Sequence, residues 1–323
     1  TEIYTLSLHD ALPIYNSAWK GVGKTLLSAA GVAGGAVMAF RTLFRVISAG
    51  FKTTWDFEQQ MSQVKAVSGA TADEFDRLRE SAISLGGSTK FTASEVAGLQ
   101  TEYAKLGFTA SQILQITSAT LDLAAATGED LAKSANIAGA TLRGFGLDAS
   151  KMQMVVDVMA ESFNKSALDL ESFSVAMQQI APVANAVGQT IQQATAKLSV
   201  LSNAGLDASI AGTSLRNIFM ELEAKGMTWD QAMDKLNNTS NKATMALELF
   251  GKRGAVAGII LSENRDEADK FTESFNNAAG AAEEMAGIME ENVRGSITKL
   301  KSAWEGFILR TNNSSGAVKG FID

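Results

Sequence analysis

The chain has 323 residues, of which 46% are hydrophobic, so it contains enough apolar material for one large core or a few smaller ones. It has no cysteine, which excludes a disulfide framework, a thiolate metal site and a cysteine nucleophile. The net charge of −7 is uneven: Asn16 to Trp55 hold five basic and no acidic residues, whereas the chain from Asp56 onward holds 23 basic against 33 acidic residues. An acidic body with a basic arm is not the pattern of a nucleic-acid-binding domain.

Composition favours an all-α fold, because helix-forming residues are abundant and there are only two prolines. A glycine followed by a capping Thr or Asp recurs in GATADE (69–74), GFTASQ (107–112), GLDASK (146–151) and GLDASI (205–210), with FTASE (91–95) a shorter version. Five threonines have Glu or Gln three positions later, which is the spacing of a capping box: Thr71, Thr92, Thr109, Thr190 and Thr228. These signals predict a string of short helices.

The apolar residues between these signals have helical spacing. We predict about ten to twelve mostly short helices in a multi-helix bundle, with a longer apolar, basic helix at the N-terminus. The predicted helices lie near 16–66, 72–85, 93–106, 110–126, 129–143, 149–164, 170–187 with a kink at Pro182, 191–204, 208–225, 229–238, 241–262 and 265–310 with interruptions. The start signals recur at irregular intervals of roughly 20 to 60 residues, so the sequence does not establish a solenoid repeat.

The N-terminal arm contains two features with functional alternatives. Gly23-Lys24-Thr25 suggests a phosphate-binding loop, but the position of the first glycine is occupied by Ala18 and no apolar strand precedes it. Thr25 to Phe40 are sixteen uncharged residues that as a helix would span about 24 Å, less than a bilayer core of about 30 Å. A buried or oligomer-packing helix, transient membrane insertion and a stable span all remain open for this stretch.

Acidic pairs at helical spacing could hold a metal ion or act in acid–base chemistry: Asp230 with Asp234, Glu283 with Glu284, and Glu290 with Glu291. No histidine lies near them, so we interpret them as solvated helix faces. Gly251 to Gly254 includes two basic residues that could bind an anion, although basic residues near a helix end also follow from the helix dipole. The sequence therefore predicts no catalytic, cofactor-binding or metal-binding residue.

The stretch from Phe57 to about Leu309 resembles the conserved core region of phage tail tape measure proteins. The resemblance is carried by FEQQMSQVKAVSGAT (57–71), KFTASEVAGLQTEYAKLGFTASQI (90–113), the stretches 121–149 and 155–222, and LELFGKRGAVAGI (247–259). The most characteristic parts are AGTSLR (211–216) and Pro182 with Gly188. The matching residues to which we assign a structural role are Gly107, Gly146, Asp148, Pro182, Gly188, Gly205, Ala211, Gly212, Thr213, Leu215, Arg216, Phe250 and Gly251.

This resemblance implies a non-enzymatic virion protein that lies in the lumen of the tail, determines tail length and is ejected during genome delivery. It further implies several copies per particle, a stage in the bacterial cytoplasm during assembly, and transient contact with a host membrane. The implied partners are the tail tube protein, tail assembly chaperones and tail tip proteins, without a cofactor or sequence-specific nucleic acid. Because the helix breaks fold the segment back on itself, we predict a head or docking domain rather than the length-measuring part.

The first residues, TEIYTLSLHDALPI, resemble the in-frame translation of a sequencing-library adapter and include the chain's one histidine, His9. We therefore expect a fragment of a longer chain, divided into a non-native segment at 1–14, a basic apolar arm at 15–56, a helical core domain at 57–311 and a truncated linker at 312–323. Two other functions stay open. One is a membrane-perturbing protein that acts through the arm, and the other is a fragment of a lytic enzyme.

Overall fold

The structure, a computed structural model, describes residues 53–291 and 293–315. These residues form fourteen α-helices and no strand, which confirms the all-α prediction. The helices are α1 (53–68), α2 (Ala72–Ser88), α3 (Ala93–Lys105), α4 (Ala110–Thr127), α5 (Leu131–Gly144), α6 (Met152–Lys165), α7 (Leu170–Ala186), α8 (Ile191–Asn203), α9 (Ala208–Ala224), α10 (Trp229–Asn237), α11 (Lys242–Glu263), α12 (Arg265–Asn276), α13 (Ala281–Glu290) and α14 (Val293–Ser315).

The predicted capping boxes are all present. In each, the threonine hydroxyl accepts a backbone hydrogen bond from the residue three positions on, and that residue's side chain accepts one from the threonine N–H. A further box, between Asp169 and Ser172 at the start of α7, had not been recognised because serine replaces the usual Glu or Gln. Local sequence therefore fixes where most of these helices begin.

The helices form two layers. In the first layer α3, α5, α7 and α9 lie side by side, and α11 follows α9, whereas α2, α4, α6 and α8 form the second layer. Neighbours in the first layer meet at positions 36 or 37 residues apart, as at Gly139 with Tyr103, Ala181 with Gly144, and Gly212 with Ala176. Neighbouring helices within the first layer are thus two places apart in the chain.

This arrangement repeats along the chain, which the sequence analysis had not established. The caps that precede the second-layer helices are separated by 38, 39 and 42 residues: Thr71, Thr109, Asp148 (through the 3-10 turn before α6) and Thr190. Thr228, the N-cap of α10, follows 38 residues later. The N-caps of the first-layer helices are separated by 38, 39 and 38 residues: Thr92, Asp130, Asp169 and Asp207. The intervals had looked irregular because the start signals of the two layers alternate along the sequence.

The last three helices, α12 to α14, form a return segment that runs back along the second layer. α12 packs on α8 and α6, and α13 packs on α4 and α6. α14 reaches the connection between α2 and α3, where the Ser302 hydroxyl donates to the carbonyl of Lys90 at 2.7 Å. The single interrupted helix predicted at 265–310 is therefore three helices, with Gly280 in the left-handed conformation before α13.

Two further differences concern helix ends and breaks. α2 continues to Ser88 instead of ending near 85. Gly86 and Gly87 lie in its last turn, where the helix closely approaches Ala93 and Gly306. α7 passes through Pro182 as one helix. The proline and Gln178, whose carbonyl loses its helical partner, are both exposed, so that water can satisfy the carbonyl.

Within the described part of the chain, contacts delimit a compact unit at 57–314. One hydrophobic cluster extends through this unit from Phe57 to Leu309. The adapter-like segment, the Gly23-Lys24-Thr25 motif and the apolar stretch Thr25 to Phe40 lie outside the described residues. The predicted division into functional domains stays a prediction.

Candidate functional site

Four of the glycines to which the sequence assigns a structural role lie in the connections where one helix ends and the chain turns into the next. We call these connections corners. Gly107 has a φ of 79°; its N–H donates to the carbonyl of Ala104 at 2.9 Å, and the next N–H donates to the carbonyl of Tyr103 at 3.1 Å. This pair of bonds ends a helix and turns the chain, and it requires a left-handed residue. The same pair occurs at Gly146, Gly188 and Gly205, and also at Gly226. Asp148 then accepts from the N–H of Ser150 at 2.9 Å and caps the single 3-10 turn before α6.

The AGTSLR stretch forms the contact between α9 and α7. A Cβ on Gly212 would lie 2.8 Å from the Cα of Ala176, so only glycine permits this approach. Ala211 and Leu215 are buried beside it, and Thr213 is half-buried. Arg216 donates to the side-chain oxygen of Gln179 at 3.2 Å. The motif residues on α9 therefore hold two first-layer helices together.

Gly251 breaks α11, which the sequence had predicted as continuous. Its φ of 65° and ψ of 177° are not helical, so two helical segments meet at this residue. The break lets the buried Phe250 ring fold against Gly258, where a Cβ would approach the ring to 2.2 Å. Phe250 and Gly251 thus fix a bend and an aromatic packing contact. Lys252 and Arg253, the two basic residues of the anion hypothesis, are exposed after the bend.

Pro182 lies at an open groove between α5 and α7, which we call the α5–α7 groove. Its volume is about 410 Å³, and its apolar lining comes from Leu106, Ile137, Met177, Ala181 and Pro182. Gly144 lets the two helices approach closely beneath the groove, because a Cβ there would lie 2.8 Å from the Cβ of Ala181. The groove carries no charged side chain.

The first layer also exposes large apolar side chains on α7 and α9. Val175 on α7 and Ile210 and Met220 on α9 are exposed. We call these three residues together with Pro182 the α7–α9 face. The structure therefore brings Pro182, Gly212 and Arg216 onto neighbouring helices, whereas the predicted corner glycines lie in the connections between helices. Sequence reasoning missed the exposed apolar residues, because exposure follows from packing and not from residue type.

Some carboxylates of the acidic pairs bind basic side chains. Arg265 on α12 binds both carboxylates of the first pair, Asp234 at 2.6 Å and Asp230 at 2.8 Å. Glu290 binds Lys299 at 2.7 Å. Within the part of the chain that the structure describes, no group of three or more His, Cys, Asp or Glu side chains could hold a metal ion.

The second layer contains titratable groups that the sequence gave no means of finding. Asp157 on α6 is buried and accepts from the N–H groups of Gly280 and Ala282, each at 3.1 Å, at the start of α13. Burial, and then the nearby charges of Glu283, Asp157 and Glu290, raise the pKa of Asp122 to about 6.

Lys197 on α8 is a second buried ionisable residue. Burial lowers the pKa of Lys197 to about 8, against the opposing effect of Asp269 and Asp230. Its ammonium group lies 4.6 Å from the centre of the Trp229 ring and donates to Gln189 at 3.0 Å. These contacts join the corner before α8 to the start of α10.

Among the residues that the structure describes, none of the helices is both long enough and apolar enough to cross a membrane. The basic arm, on which the membrane-perturbing alternative depends, lies outside those residues except for its last positions. Membrane activity through the arm therefore stays a prediction without support from the described fold.

Comparison with known proteins identifies similar chains. The family described as phage-related minor tail protein matches residues 79–303. The chain is 29% identical to the tape measure protein of Pneumococcus phage Dp-1 over 317 residues, covering 90% of this chain and 27% of that protein. It is 28% identical to the probable tape measure protein of Escherichia phage P2 over 284 residues, covering 78% of this chain and 35% of that protein. The chain thus spans about a third or less of these relatives, and no solved structure matches it.

Proposed function

The chain belongs to the phage-related minor tail protein family, and we propose from this that it acts as a structural tape measure component in tail assembly. In this proposal the protein takes part in setting tail length, occupies the tail lumen and is ejected when the genome is delivered. It passes through the bacterial cytoplasm during assembly. The observation that supports the proposal is the match of the family across residues 79–303, which covers almost the whole two-layer stack.

The fold supports a head or docking role for residues 57–314 rather than a measuring role. A straight helix of 39 residues would extend about 58 Å. In the two-layer arrangement, one helix pair of 39 residues lengthens the layers by only about 10 Å, which is the spacing between packed helices. A segment that measures length spans the greatest distance per residue when its helices are extended. We therefore assign the measuring function to other parts of a longer chain, since the similar tape measure proteins are longer than this chain.

The α7–α9 face and the α5–α7 groove are the surfaces that we propose for contact with tail proteins. They combine exposed apolar residues with the most characteristic stretch of the motif, and the groove is uncharged although the body is acidic. The proposed partners are the tail tube protein, tail assembly chaperones and tail tip proteins. Several copies of the chain would act together in one tail.

The test is to delete one complete helix pair, residues 131–169, from a full-length tape measure protein that contains this region. The matched control deletes 39 residues from a predicted extended helix elsewhere in the same protein. We expect the control to shorten the tail by about 58 Å, and the deletion in the stack to lower the yield of tails without shortening them. Tails shortened by a similar length after deletion in the stack would overturn the docking role.

A second variant keeps the experiment informative if the deletion prevents folding. Exchanging the exposed Ile210 and Met220 for serine leaves the buried contacts of α9 in place. The purified variant should keep the helical content and thermal stability of the parent chain. Normal tail yield from this stable variant would show that the α7–α9 face is not a docking surface.

A further inference from the structure

The α5–α7 groove contains a backbone acceptor that lacks a donor in its own helix. Pro182 has no N–H, so the carbonyl of Gln178, four positions earlier, loses its helical partner. In an α-helix each carbonyl points along the axis towards the residue four positions on. Gln178 and Pro182 are both exposed and both line the groove, so this carbonyl opens onto the groove beside the proline ring.

Two polar side chains that line the groove are engaged within their own helices. On α5 the amide of Asn136 donates to the carbonyl of Ala132 at 2.9 Å, and on α7 the amide nitrogen of Gln178 lies 3.5 Å from the hydroxyl oxygen of Ser174. No charged side chain contributes to the described lining. A charged group that entered the groove would therefore lose water without gaining a counter-charge.

The size of the groove suits a single large side chain. Its volume of about 410 Å³ lies near the lower end of the range of about 300 to 1000 Å³ for ligand pockets. Leu106, Ile137 and Met177 supply apolar contact for such a side chain. The occupant thus needs an apolar body that fills the groove and one donor that reaches the Gln178 carbonyl.

Tryptophan is the side chain that meets both requirements. Its indole is large and apolar, and its single N–H donates without bringing an acceptor of its own. The tyrosine hydroxyl also donates, but its oxygen is a further acceptor that needs a donor. Lysine and arginine would place a charge in an uncharged groove. Tryptophan is also enriched among the residues that anchor protein interfaces in well-packed pockets.

We propose that the α5–α7 groove binds a tryptophan side chain of a partner protein, whose indole N–H donates to the carbonyl of Gln178. The indole replaces the water that satisfies this carbonyl in the unbound chain, and it reproduces the hydrogen bond of that water. Pro182 is then a specificity-determining residue, because it frees the acceptor and also forms part of the apolar lining. α7 continues through the proline, so the acceptor is held on a helix.

This inference names the partner chemistry of one surface in the proposed function and rests on that function for its biological context. The two fail separately, because the preference of the groove is measured on the purified chain with small molecules, whereas docking is measured on tail yield.

The first experiment titrates the purified chain with indole and with 1-methylindole, which has a similar shape but no N–H. The methyl resonance of Met177, assigned with Met177→Leu, reports binding by NMR. We expect indole to bind about fivefold more tightly, which corresponds to about 1 kcal/mol, the contribution of one hydrogen bond. In Pro182→Ala, which restores the N–H that the Gln178 carbonyl lacks, the ratio of the two dissociation constants should fall to about one.

Three results of this titration would overturn the proposal. The first is that indole, at its solubility limit, leaves the Met177 resonance unchanged or binds no better than 1-methylindole. The second is an unchanged ratio in Pro182→Ala with the same helical circular dichroism as the parent chain. The third is tighter binding of p-cresol than of indole, because the groove would then select tyrosine.

The second experiment fills the groove within a full-length tape measure protein that contains this region. Ala140→Trp places an indole at an exposed position that lines the groove, and Ala243→Trp, at an exposed position on α11, is the matched control. Both variants should keep the helical content of the parent. We expect Ala140→Trp to lower the yield of tails at least fivefold and Ala243→Trp to leave it unchanged.

The two experiments together separate the inference from the docking role. Normal tail yield from Ala140→Trp would overturn the binding of a partner in the groove, even if the purified chain prefers indole. A lowered yield from a chain that does not prefer indole would leave the docking role standing and overturn the assignment of tryptophan.

Discussion

The carboxylate of Asp157 in α6 accepts a hydrogen bond of 3.1 Å from the backbone N–H of Ala282, which lies 125 residues further along the chain. A second N–H, that of Gly280, donates to the same carboxylate at 3.1 Å. A buried side chain of one layer thus caps the first turn of α13 in the return segment. The cap supplies an acceptor for N–H groups that have no partner within their own helix.

Asp157→Ala should therefore destabilise the protein by about 2 kcal/mol, because it leaves the N–H groups of Gly280 and the buried Ala282 without this acceptor. The loss should be local at first, so amide hydrogen exchange in residues 281–290 should accelerate more than exchange in α3 or α5. The control is Asp148→Ala, which removes an exposed cap and should leave α13 unaffected. A uniform change in exchange over all helices would contradict the local role of Asp157.

Gly212→Ala should cost about 2 to 3 kcal/mol of unfolding free energy, because the new methyl group would meet the backbone of Ala176 and force α7 and α9 apart. The matched control is Gly287→Ala in α13, where no atom lies within 4 Å of the new Cβ. There the higher helix propensity of alanine should raise stability by up to about 1 kcal/mol. Denaturant midpoints measure both effects, and the same sign for both variants would refute the explanation.

Asp122→Asn should stabilise the protein at pH 7.5 by about 1 kcal/mol, because it removes a half-buried charge that lies near other carboxylates. Water around the carboxyl screens much of the repulsion, which keeps the gain this small. The folded-state pKa of Asp122, about 6, lies above its usual 3.8. The ionised group therefore lowers stability progressively as pH rises from about 4 to 6. The advantage of the variant should vanish near pH 4, and thermal melts across this range measure it. An advantage that grew towards low pH would be inconsistent with this sign.

Lys197 should make stability rise with pH on the alkaline side. Its folded-state pKa of about 8 lies below the usual 10.5, so the unfolded chain binds more protons between these values. Relative to Lys197→Met, the parent chain should gain roughly 2 to 3 kcal/mol between pH 7.5 and 10. Lys252→Met, which changes an exposed lysine, should show no such dependence. A flat difference for Lys197→Met would show that the ammonium group is hydrated in the fold.

The start and end of most helices could be predicted from local sequence. The capping boxes at Thr71, Thr92, Thr109, Thr190 and Thr228 all formed, because a cap is a bond between residues three positions apart. The repeat of about 38 residues was also present in the sequence. It was missed because signals from the two layers were read as one series, for example at Thr92 and Thr109.

The bend at Gly251 could not be predicted in the same way. A glycine within apolar helical spacing is compatible with a continuous helix, and only the packing of Phe250 against Gly258 favours the break. The pairing of Arg265 with Asp230 and Asp234 likewise depends on where α12 lies relative to α10. Neither feature has a local pattern.

The sequence by itself determined the all-α class, the corners and the caps, since these depend on interactions within one turn of the chain. It also contains the motifs on which the resemblance to phage tail tape measure proteins rests. Only the tertiary structure decided that alternate helices align in two layers, that α12 to α14 return along the second layer, and that Trp304 remains exposed. These features depend on contacts between residues far apart in sequence, such as Asp157 and Ala282, and burial is a property of the packed assembly of helices.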